Sequence, residues 1–464
     1  MERDVYEVLE RWAAAERRLP LVLCGARQVG KTYALQELGR RSFSSCAYLN
    51  FMDEGAQAVL EGGYDARRAL DNIGIYTHTK IIPGQTLVVL DEVQEAPAVL
   101  PLMKAFAEDA PEYHVAAAGS YLGIAYHAGE SFPVGKVQMV DMHPACFLEF
   151  LGAVGEGELA RLVRSQDFGR LAPFEDRLRR LLREYLYVGG MPQAIVAFMD
   201  GDRDYQAARA IQSALLQQYD RDFSKHPAPH EVERIRLAFD SIPAHLGREN
   251  HKFVFGHIAR GARAREYETA IQWIVDSGLA TRVYRVDKLA KPLKFYRDLS
   301  AFKLFLPDVG LLGAAMEVDA SDVILSNAAL EEYKGALTEQ YVCQQLVACG
   351  ITPYYWTSGA TAELDFVVSR REGVVPIEVK AKENLRARSL RLVHERYGLH
   401  GVRTSMSGYR EQDWMTNVPL WAIGACFLSE ETDKSGGVGS FPTTTPRYHP
   451  PAPPEVPRTT SGST

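Results

Sequence analysis

The first 143 residues alternate short apolar runs with segments whose apolar residues recur at helical spacing. An unbroken run such as Thr-Leu-Val-Val-Leu at 86–90 is typical of a strand buried on both faces, as in a parallel sheet. The strands predicted in this way are 21–24, 47–51, 86–92, 114–118 and 137–142, and the helices are 4–17, 33–38, 56–71 and 97–109. Their alternation predicts a three-layer α/β domain over residues 1–143.

From residue 144 the pattern becomes helical, and it predicts a helical segment over 144–225. Its clearest helices are 174–187 and 205–219, which flank the sequence Gly-Gly-Met-Pro at 189–192. A glycine that ends one helix and a proline that begins the next would explain this break. A contact with a ligand of the first domain would explain it equally well, so both explanations stay open.

Residues 226–318 contain three helical segments and then an alternating strand at 278–286, an order that predicts a winged helix. Its third helix is predicted at 267–277. Just upstream, Arg260, Arg263 and Arg265 concentrate positive charge, as phosphate contacts require. The alternative is a winged helix that binds protein and carries these arginines on a solvated face.

The rest of the chain divides into an ordered and a disordered part. Residues 319–429 combine a helix at 337–348 with strand patterns at 362–368 and 376–381, and they are predicted to form an α/β domain. In 430–464, Pro, Ser, Thr and Gly dominate and large aliphatic residues are almost absent. That composition cannot bury a core, so this segment is predicted to be disordered.

Composition narrows the class of protein. A chain of 464 residues that is 46% hydrophobic can form two to four domains with their own cores. The net charge of -7 excludes a global positive field, so nucleic acid can be bound only by local patches. Six scattered cysteines without zinc-type spacing favour a reducing compartment. Because no apolar run is long enough for a bilayer, we expect a cytoplasmic protein without a membrane partner.

Residues 25–32, GARQVGKT, match the phosphate-binding pattern G-x-x-x-x-G-K-[ST] between a predicted strand and a predicted helix. The two glycines allow a tight turn whose N–H groups, together with the helix N-terminus, surround phosphates. Lys31 is predicted to reach the β- and γ-phosphates as a catalytic residue, and Thr32 to bind Mg²⁺. The predicted nucleotide contacts of this segment are Gly25, Ala26, Arg27, Gln28, Val29, Gly30, Lys31, Thr32 and Tyr33.

Two acids end the strand predicted at 86–92. Asp91 would hold Mg²⁺ through water, and Glu92 would polarise the attacking water as general base. The alternative for Asp91 is a simple cap of the next helix. Ser120, which follows the strand 114–118, is either a sensor of the γ-phosphate or part of an ordinary Gly-Ser turn. The predicted cofactors are ATP and Mg²⁺, with 144–225 as a lid over them.

A second constellation consists of Glu339, Asp365, Glu378 and Lys380. Glu378 and Lys380 share one face of a predicted strand, and Asp365 lies on the strand predicted to pair with it. Carboxylates that bind a hard cation, with a lysine that orients water, suit Mg²⁺-dependent phosphodiester hydrolysis. We therefore predict Glu339, Asp365 and Glu378 as metal ligands and Asp365, Glu378 and Lys380 as catalytic residues. The alternative is an exposed Glu–Lys pair on an amphipathic hairpin.

Seven segments in order resemble a large bacterial and archaeal family of AAA-type ATPases that have a C-terminal domain of unknown function. They are GARQVGKT, VVLDEVQ, GKVQMVDMHPACFLEFL, YVGGMPQAI, DSIPAHLGRENHKFVF, FKLFLPDVGLL and ELDF…PIEVKA. The resemblance covers about residues 1–400, and in that family the C-terminal part resembles the restriction-endonuclease-like PD-(D/E)XK fold.

The resemblance implies an ATP–Mg²⁺ site at Gly30, Lys31, Thr32, Asp91 and Glu92, and a nuclease-like site at Glu339, Asp365, Glu378 and Lys380. Many relatives have Gly-Arg where this chain has Gly135 and Lys136, so an arginine acting in trans at that point is in doubt. Lys136 supplies charge without the planar fork of arginine. Arg221 is a second candidate for that role.

The combined prediction is an AAA-type three-layer sandwich with a helical lid, followed by a winged helix and a restriction-endonuclease-like α/β domain. The leading hypothesis is an ATPase that controls a DNA-binding or nuclease-like C-terminal part. Its expected partner is nucleic acid, with DNA favoured over RNA. Assembly into a homo-oligomer is a further partner hypothesis. The alternative is a slow regulatory nucleotide switch whose nuclease-like fold is a catalytically inactive binding module.

Overall fold

The computed structural model describes residues 1–61, 63–119, 135–224, 229–248, 252–258, 261–324, 331–359, 362–381 and 387–428. Three sequence predictions, for Ser120, for Arg260 and for the segment 430–464, lie outside these described residues.

Within the described ranges, five parallel strands form the first sheet. They are β1 Leu21–Cys24, β2 Ser45–Asn50, β3 Thr86–Asp91, β4 His114–Ala118 and β5 Gln138–Asp141. Their order across the sheet is β2-β3-β4-β1-β5. β3 and β4 are buried along their whole length, as expected for strands covered on both faces. The predicted α/β fold with a parallel sheet is confirmed.

Helices cover this sheet on its two faces. They are Val5–Ala14, Lys31–Ser42, Ala66–Tyr76 and Val99–Asp109, with 3₁₀ helices at Gln57–Leu60 and Val93–Glu95. The single helix predicted over 56–71 is wrong, because the chain forms a 3₁₀ turn there and then a separate helix. The Asp65 side chain accepts a hydrogen bond from the Arg68 backbone N–H at 3.0 Å and thereby starts that second helix.

A helical region follows β5. Its helices are Phe147–Ala153, Gly157–Arg164, Phe168–Leu171, Glu175–Val188, Pro192–Asp200, Tyr205–Asp222, Pro229–Asp240, Ile242–Leu246 and Ala264–Asp276, with 3₁₀ helices at Ala172–Phe174 and Phe255–His257. The helix predicted at 267–277 begins earlier, at Ala264. There the Arg263 backbone N–H donates to the Glu266 carboxylate at 3.2 Å, which satisfies an amide at the helix start.

The second sheet contains eight strands in the described part of the chain. They are β6 Thr281–Val286, β7 Arg297–Phe305, β8 Tyr354–Thr357, β9 Glu363–Ser369, β10 Val374–Val379, β11 Gly401–Ser405, β12 Arg410–Glu411 and β13 Met415–Pro419, in the order β12-β13-β11-β10-β9-β8-β6-β7. β6 pairs with β7 antiparallel and with β8 parallel, so that Tyr284 lies opposite Tyr354. The hairpin of 226–318 and the strands of 319–429 thus share one sheet, which was not predicted.

The remaining helices are Val309–Ala315, Ala320–Ile324, Glu331–Ala348, Arg388–Tyr397 and Ile423–Phe427, with 3₁₀ helices at Leu293–Tyr296 and Leu420–Ala422. None of the helices in the described ranges is both long and apolar enough to cross a membrane.

One apolar core joins the segments. Phe147, Tyr185 and Tyr341 come from three separate helices. The Tyr185 ring meets the rings of Phe147 and Tyr341 edge to face, with centroid distances of 5.7 and 5.8 Å. All three side chains are buried in a cluster that also contains residues of both sheets. Buried aromatic pairs of this kind stabilise an interface beyond the area that they bury. The helical region is therefore packed between the two sheets as part of a continuous core.

Candidate functional site

The loop after β1 has the backbone geometry that its glycines allow. Gly25 has φ +149° and Gly30 has φ +98°, both in the region that favours glycine. A Cβ at Gly25 would lie 2.1 Å from the backbone oxygen of Met142, so a side chain is excluded there. Gly30 directly precedes the helix Lys31–Ser42. The loop therefore ends with its amides at a helix N-terminus, which is a favourable position for an anion.

Lys31 folds back onto this loop. Its side chain is nearly buried, with 7% of the residue exposed, and its ammonium donates to the backbone oxygens of Gly25 at 2.9 Å and Ala26 at 2.8 Å. Burial lowers the pKa of Lys31 to about 8, and the carboxylates of Glu92 and Asp91 oppose part of that decrease. The lysine is thus a desolvated cation whose carbonyl partners do not fully compensate its charge.

Two acids stand at the end of β3. Asp91 is 3% exposed; its carboxylate accepts from the Tyr48 hydroxyl at 2.8 Å and from the Glu92 backbone N–H at 2.9 Å. Glu92 has φ +53°, which is uncommon for a residue with a side chain, and its carboxylate accepts from the Gln94 amide at 2.5 Å. Such strained backbone is often found at functional sites, where the surrounding structure holds it. Both acids are therefore held in fixed positions.

The loop, the two acids and two helices of the helical region line one cavity of about 740 Å³. Lys31, Thr32, Asp91 and Glu92 form one side of it, and the helices Pro192–Asp200 and Tyr205–Asp222 contribute the other. Gly189 ends the preceding helix and Pro192 begins the next, as the structural explanation of the Gly-Gly-Met-Pro break requires. Pro192 also lines the cavity, so the two explanations are compatible.

Some of the predicted nucleotide contacts line the 740 Å³ cavity and others do not. The residues that line the cavity are Arg27, Gln28, Gly30, Lys31, Thr32, Tyr33, Asp91 and Glu92. Val29 is fully buried in the core. Gly25 and Ala26 line a second cavity of about 440 Å³ on another side of the loop. A contact of Gly25, Ala26 or Val29 with a nucleotide stays a prediction, and it would have to be made by backbone groups.

The helix Tyr205–Asp222 braces the loop through contacts that were not predicted. Arg27 forms an ion pair with Asp222, and the Gln28 amide donates to the Gln218 side chain. The Tyr219 hydroxyl donates to the backbone oxygen of Arg27 at 3.1 Å. These partners are separated from the loop by about 190 residues, so no local pattern in the sequence signals them.

The two residues considered for a role in trans lie elsewhere. Lys136 forms an ion pair with Glu108 of the same chain at 2.8 Å, and both side chains are exposed. Arg221 is exposed and is not among the described residues that line the 740 Å³ cavity. A role of either residue in a neighbouring subunit stays a prediction.

The C-terminal constellation is brought together on adjacent strands. β9 and β10 are antiparallel with Phe366 opposite Ile377, and the Val379 backbone N–H donates to the Asp365 carboxylate at 2.6 Å. The Lys380 ammonium lies 2.9 Å from the Glu378 carboxylate. The predicted pairing of the two strands is therefore present, and Glu378 and Lys380 interact with each other.

A buried lysine lies inside this acid cluster and was missed by the sequence reasoning. The side chain of Lys303, 1% exposed, has its ammonium 2.9 Å from Glu363 and 3.5 Å from Glu339. Burial by itself lowers the pKa of Lys303, but Glu339, Glu363 and Asp365 outweigh burial and raise it. The signal in the sequence is a single lysine in the apolar run 302–306.

The carboxylates of this cluster surround a buried cation. Burial raises the pKa of Asp365 well above its usual value, Glu339 raises it further, and Lys303 opposes both. Among the described residues, no three Asp, Glu, His or Cys side chains are grouped so as to hold a metal ion. Lys303 already supplies a cation to Glu339, so Mg²⁺ at Glu339, Asp365 and Glu378 stays a prediction that would require these carboxylates to rearrange around the lysine.

Asp308 connects the helical region to the C-terminal part. Its carboxylate accepts from the Gly190 backbone N–H at 2.5 Å, from the Leu311 backbone N–H at 3.1 Å and from the Gln344 amide at 3.0 Å. A Cβ at Gly189 would lie 2.2 Å from this carboxylate. Gly189 is therefore needed for close packing against Asp308, and Gly190 for close packing against Ala145, whose backbone oxygen would lie 2.0 Å from a Cβ there.

Comparison with protein families assigns the first domain. Residues 17–151 match the AAA domain family, which agrees with the parallel sheet and the loop described above. Residues 179–322 and 334–423 match two domains of unknown function, DUF8612 and DUF4143. No curated protein matches the chain. The match to the AAA domain supports a P-loop ATPase domain in residues 17–151.

Solved structures give only distant similarity. A Walker-type ATPase of Pyrococcus abyssi is 12% identical with a TM-score of 0.40, and the match covers 68% of this chain and 95% of that one. The Aeropyrum pernix ORC1 protein in complex with DNA is 14% identical with a TM-score of 0.27, and the match covers 68% of this chain and 90% of that one. Drosophila ORC bound to DNA is 15% identical with a TM-score of 0.26, and the match covers 68% of this chain and 94% of that one.

Proposed function

We propose that this chain, whose residues 17–151 belong to the AAA domain family, binds and hydrolyses ATP with Mg²⁺, and that its nucleotide state controls a nucleic-acid-binding C-terminal part. The observation that supports ATP hydrolysis is that Lys31, Thr32, Asp91 and Glu92 line one cavity. These are the side-chain types that phosphoryl transfer by P-loop enzymes requires.

Each side chain has a distinct role in this proposal. The Lys31 ammonium exchanges the carbonyls of Gly25 and Ala26 for phosphate oxygens, which compensate its charge better. The Thr32 hydroxyl and the Asp91 carboxylate are oxygen donors suited to Mg²⁺. Both Asp91 oxygens already accept hydrogen bonds, so this carboxylate would act through water. When bound, Mg²⁺ would neutralise charge on the phosphates. Glu92 would polarise the attacking water.

The same cavity has an apolar part that suits the base of a nucleotide. Tyr33 is 59% exposed and Val196 is 52% exposed, although both line the cavity and both are hydrophobic. Exposed apolar side chains in a concave site favour a flat, apolar ligand group. We infer that the purine ring contacts the part of the cavity that Tyr33, Val196 and Pro192 line.

The test is ATP turnover and ATP binding by the full chain with and without Mg²⁺. Lys31→Ala is expected to lose ATP binding. Glu92→Gln is expected to retain binding and to lose about 100-fold or more in turnover, since a general base contributes roughly that factor. Glu95→Gln makes the same charge change three residues along and outside the cavity, so it is the matched control. Wild-type turnover in both Lys31→Ala and Glu92→Gln contradicts the ATPase assignment.

Control of the C-terminal part is proposed to act through Asp308. Gly190 and Gln344 donate to one oxygen of this carboxylate, and Glu339 of the acid cluster lies on the same helix as Gln344. A shift of the lid over bound nucleotide would therefore reach the second sheet through direct contacts. Hydrogen exchange in the helix Glu331–Ala348 is expected to change on addition of a non-hydrolysable ATP analogue. The same exchange rates with and without the analogue would exclude this coupling.

A second candidate function for the C-terminal part is a nuclease. It is favoured by one observation: an oxygen of the buried Glu378 carboxylate has no hydrogen-bond partner, beside Lys380. If the C-terminal part only binds nucleic acid, wild-type protein is expected to leave labelled linear and circular DNA and RNA intact. This is expected with Mg²⁺ or Mn²⁺ and with or without ATP. Cleavage by wild type that is lost in Asp365→Ala and Lys380→Ala would establish the nuclease instead.

A further inference from the structure

The connection between β6 and β7 is an anchored loop. Leu289 and Leu293 are buried in an apolar cluster with residues of β8 and β9. The Asp287 backbone N–H donates to the Tyr296 oxygen at 2.9 Å, and the Lys291 ammonium donates to the Arg371 oxygen at 3.1 Å. The residues 287–296, which we call the hairpin tip, therefore hold a defined conformation at the end of the sheet.

The hairpin tip presents one aromatic ring to solvent. Phe295 is 78% exposed, more than any other large hydrophobic side chain in the described ranges. Its neighbours Leu293 and Tyr296 are buried and half-buried, and the rings of Phe295 and Tyr296 meet edge to face at 5.1 Å. The Phe295 ring therefore contacts Tyr296 at its edge and leaves most of its surface open to a partner.

Positive charge surrounds this ring, in a protein whose net charge is -7. Residues 285–298 contain five basic and two acidic residues, and both acids lie within ion-pair distance of Arg285. Lys288, Lys291, Lys294 and Arg297 are the other four basic residues. Lys288 and Lys294 are exposed, and the Lys288 ammonium lies 5.5 Å from the centre of the Tyr296 ring. The Lys291 contact also brings the exposed Arg371 beside the tip. A local positive patch on an acidic protein attracts phosphates selectively to that patch.

We propose that the hairpin tip binds single-stranded nucleic acid, with an unstacked base on Phe295 and backbone phosphates on Lys288 and Lys294. In a single strand, a base can stack on the exposed Phe295 ring while neighbouring phosphates contact the lysines. Every base has a π-face and every phosphate a negative charge, so this binding does not require a particular sequence. A duplex keeps its bases stacked and offers no face to Phe295. The anchored loop requires little ordering on binding, which favours affinity. This inference rests on the nucleic-acid part of the proposed function and not on ATP hydrolysis.

The experiment measures fluorescence anisotropy of short labelled oligothymidine and oligouridine with the full chain, in a series of salt concentrations. Phe295→Ala is expected to bind roughly tenfold more weakly, the usual effect of losing one stacked base. The double variant Lys288→Glu with Lys294→Glu is expected to bind more weakly. The slope of log affinity against log salt concentration is expected to become shallower by about 0.7 for each phosphate contact that is lost. A matched duplex is expected to bind more weakly than the single strands.

Two controls match these variants away from the tip. Phe174→Ala removes another exposed phenylalanine, and Lys80→Glu with Lys104→Glu reverses two exposed charges on the first domain. Both controls are expected to bind like wild type. ATP affinity checks that every variant is folded, since the tip lies outside the nucleotide cavity.

The outcomes separate this inference from the proposed function. If wild type binds single strands and the tip variants bind equally well, the inference is wrong and nucleic acid is bound by another surface. If wild type binds no nucleic acid, the inference and the nucleic-acid part of the proposed function both fall. Binding of anionic lipid vesicles that depends on Phe295, without binding of oligonucleotides, would assign the tip to a membrane surface and overturn the inference.

Discussion

Two buried lysines of this chain are in opposite electrostatic situations. Lys31 is buried beside carbonyl oxygens, and burial lowers its pKa to about 8. Lys303 is buried beside carboxylates, which outweigh burial and raise its pKa. A cation with a lowered pKa gains stability from an added anion, whereas a cation already paired with acids does not. This difference supports the proposal that Lys31 binds a phosphate and that Lys303 stabilises the fold.

For Lys31 we predict that ATP binding depends on pH. Above pH 8 the lysine of the free protein is mostly neutral, and phosphates favour its charged form, so binding takes up a proton. The affinity for ATP is expected to fall by up to about tenfold per pH unit above 8. Calorimetry at pH 9 in two buffers of different ionisation enthalpy measures the uptake. A constant affinity from pH 7 to pH 9.5 would contradict the lowered pKa.

For Lys303 we predict a large loss of stability on removal of the charge. Lys303→Met leaves Glu339 and Glu363 together without their cation, and breaking a buried pair in this way costs about 3 kcal/mol or more. The loss is expected to decrease at acid pH, where protons neutralise the carboxylates. Urea unfolding at pH 7 and pH 5 measures both values, with exposed Lys104→Met as the control. An equal loss at the two pH values would show that packing, not charge, is responsible.

At this scale the sequence predicted the residues whose partners are close along the chain. Lys31, Thr32, Asp91 and Glu92 belong to short motifs, and the structure brings them to one cavity. Lys303 contacts Glu339, 36 residues away, and Arg27 contacts Asp222, 195 residues away. Local spacing contains no information about such partners, so these pairs could not be predicted.

At the scale of elements, Asp308 holds three helices together. It precedes the helix Val309–Ala315, accepts from Gly190 after the helix Glu175–Val188, and accepts from Gln344 on the helix Glu331–Ala348. Burial raises the pKa of its carboxyl, whereas the surrounding N–H donors lower it. All the partners named here are donors, which suits an ionised carboxylate.

For this carboxylate we predict that Asp308→Asn destabilises the protein, although the Asn side chain has nearly the same shape as Asp. The amide places an NH₂ group against N–H donors, and an unsatisfied buried polar group costs about 1–3 kcal/mol. Asp319→Asn is the control, because Asp319 caps an exposed turn through Ser321. Urea unfolding measures the two variants. Unchanged stability of Asp308→Asn would mean that the carboxyl is protonated and donates a hydrogen bond itself.

The strands show a second limit of prediction at this scale. The alternating strand at 278–286 was predicted correctly in type, and the structure contains β6 at Thr281–Val286. Its hairpin was interpreted as the wing of a separate winged helix, yet β6 also pairs with β8, 70 residues later. A period of two shows which residues share a face but not which strand lies beside them. Sheet order was therefore not accessible from the sequence.

At the scale of the whole molecule, the back of the phosphate-binding loop contacts the second sheet. Gly278, which precedes β6, has φ +71°, and a Cβ placed there would lie 3.2 Å from the Ala26 backbone nitrogen. The 440 Å³ cavity beside this contact is lined by both the loop and the helix Glu331–Ala348. A movement of the loop on nucleotide binding would therefore press directly on the segment that leads into β6 and the hairpin tip.

This contact predicts that Gly278→Ala weakens ATP binding from outside the nucleotide cavity. The added methyl group must displace Ala26 by a few tenths of an ångström, and we expect a cost on the order of 1 kcal/mol, about fivefold in ATP affinity. The left-handed backbone adds roughly 1 kcal/mol of destabilisation to the fold. Gly350→Ala is the matched control, because Gly350 has φ +73° and nothing within 4 Å of its Cβ position.

The two variants separate backbone strain from contact with the loop. Both are expected to lower the free energy of unfolding by a similar amount, since their φ angles are nearly equal. Only Gly278→Ala is expected to lower the affinity for ATP, as measured by calorimetry at a temperature where both variants are folded. If the two variants bind ATP equally well, the loop does not transmit its position through Gly278. Coupling between the sheets would then depend on other contacts, such as those of Asp308 with Gly190 and Gln344.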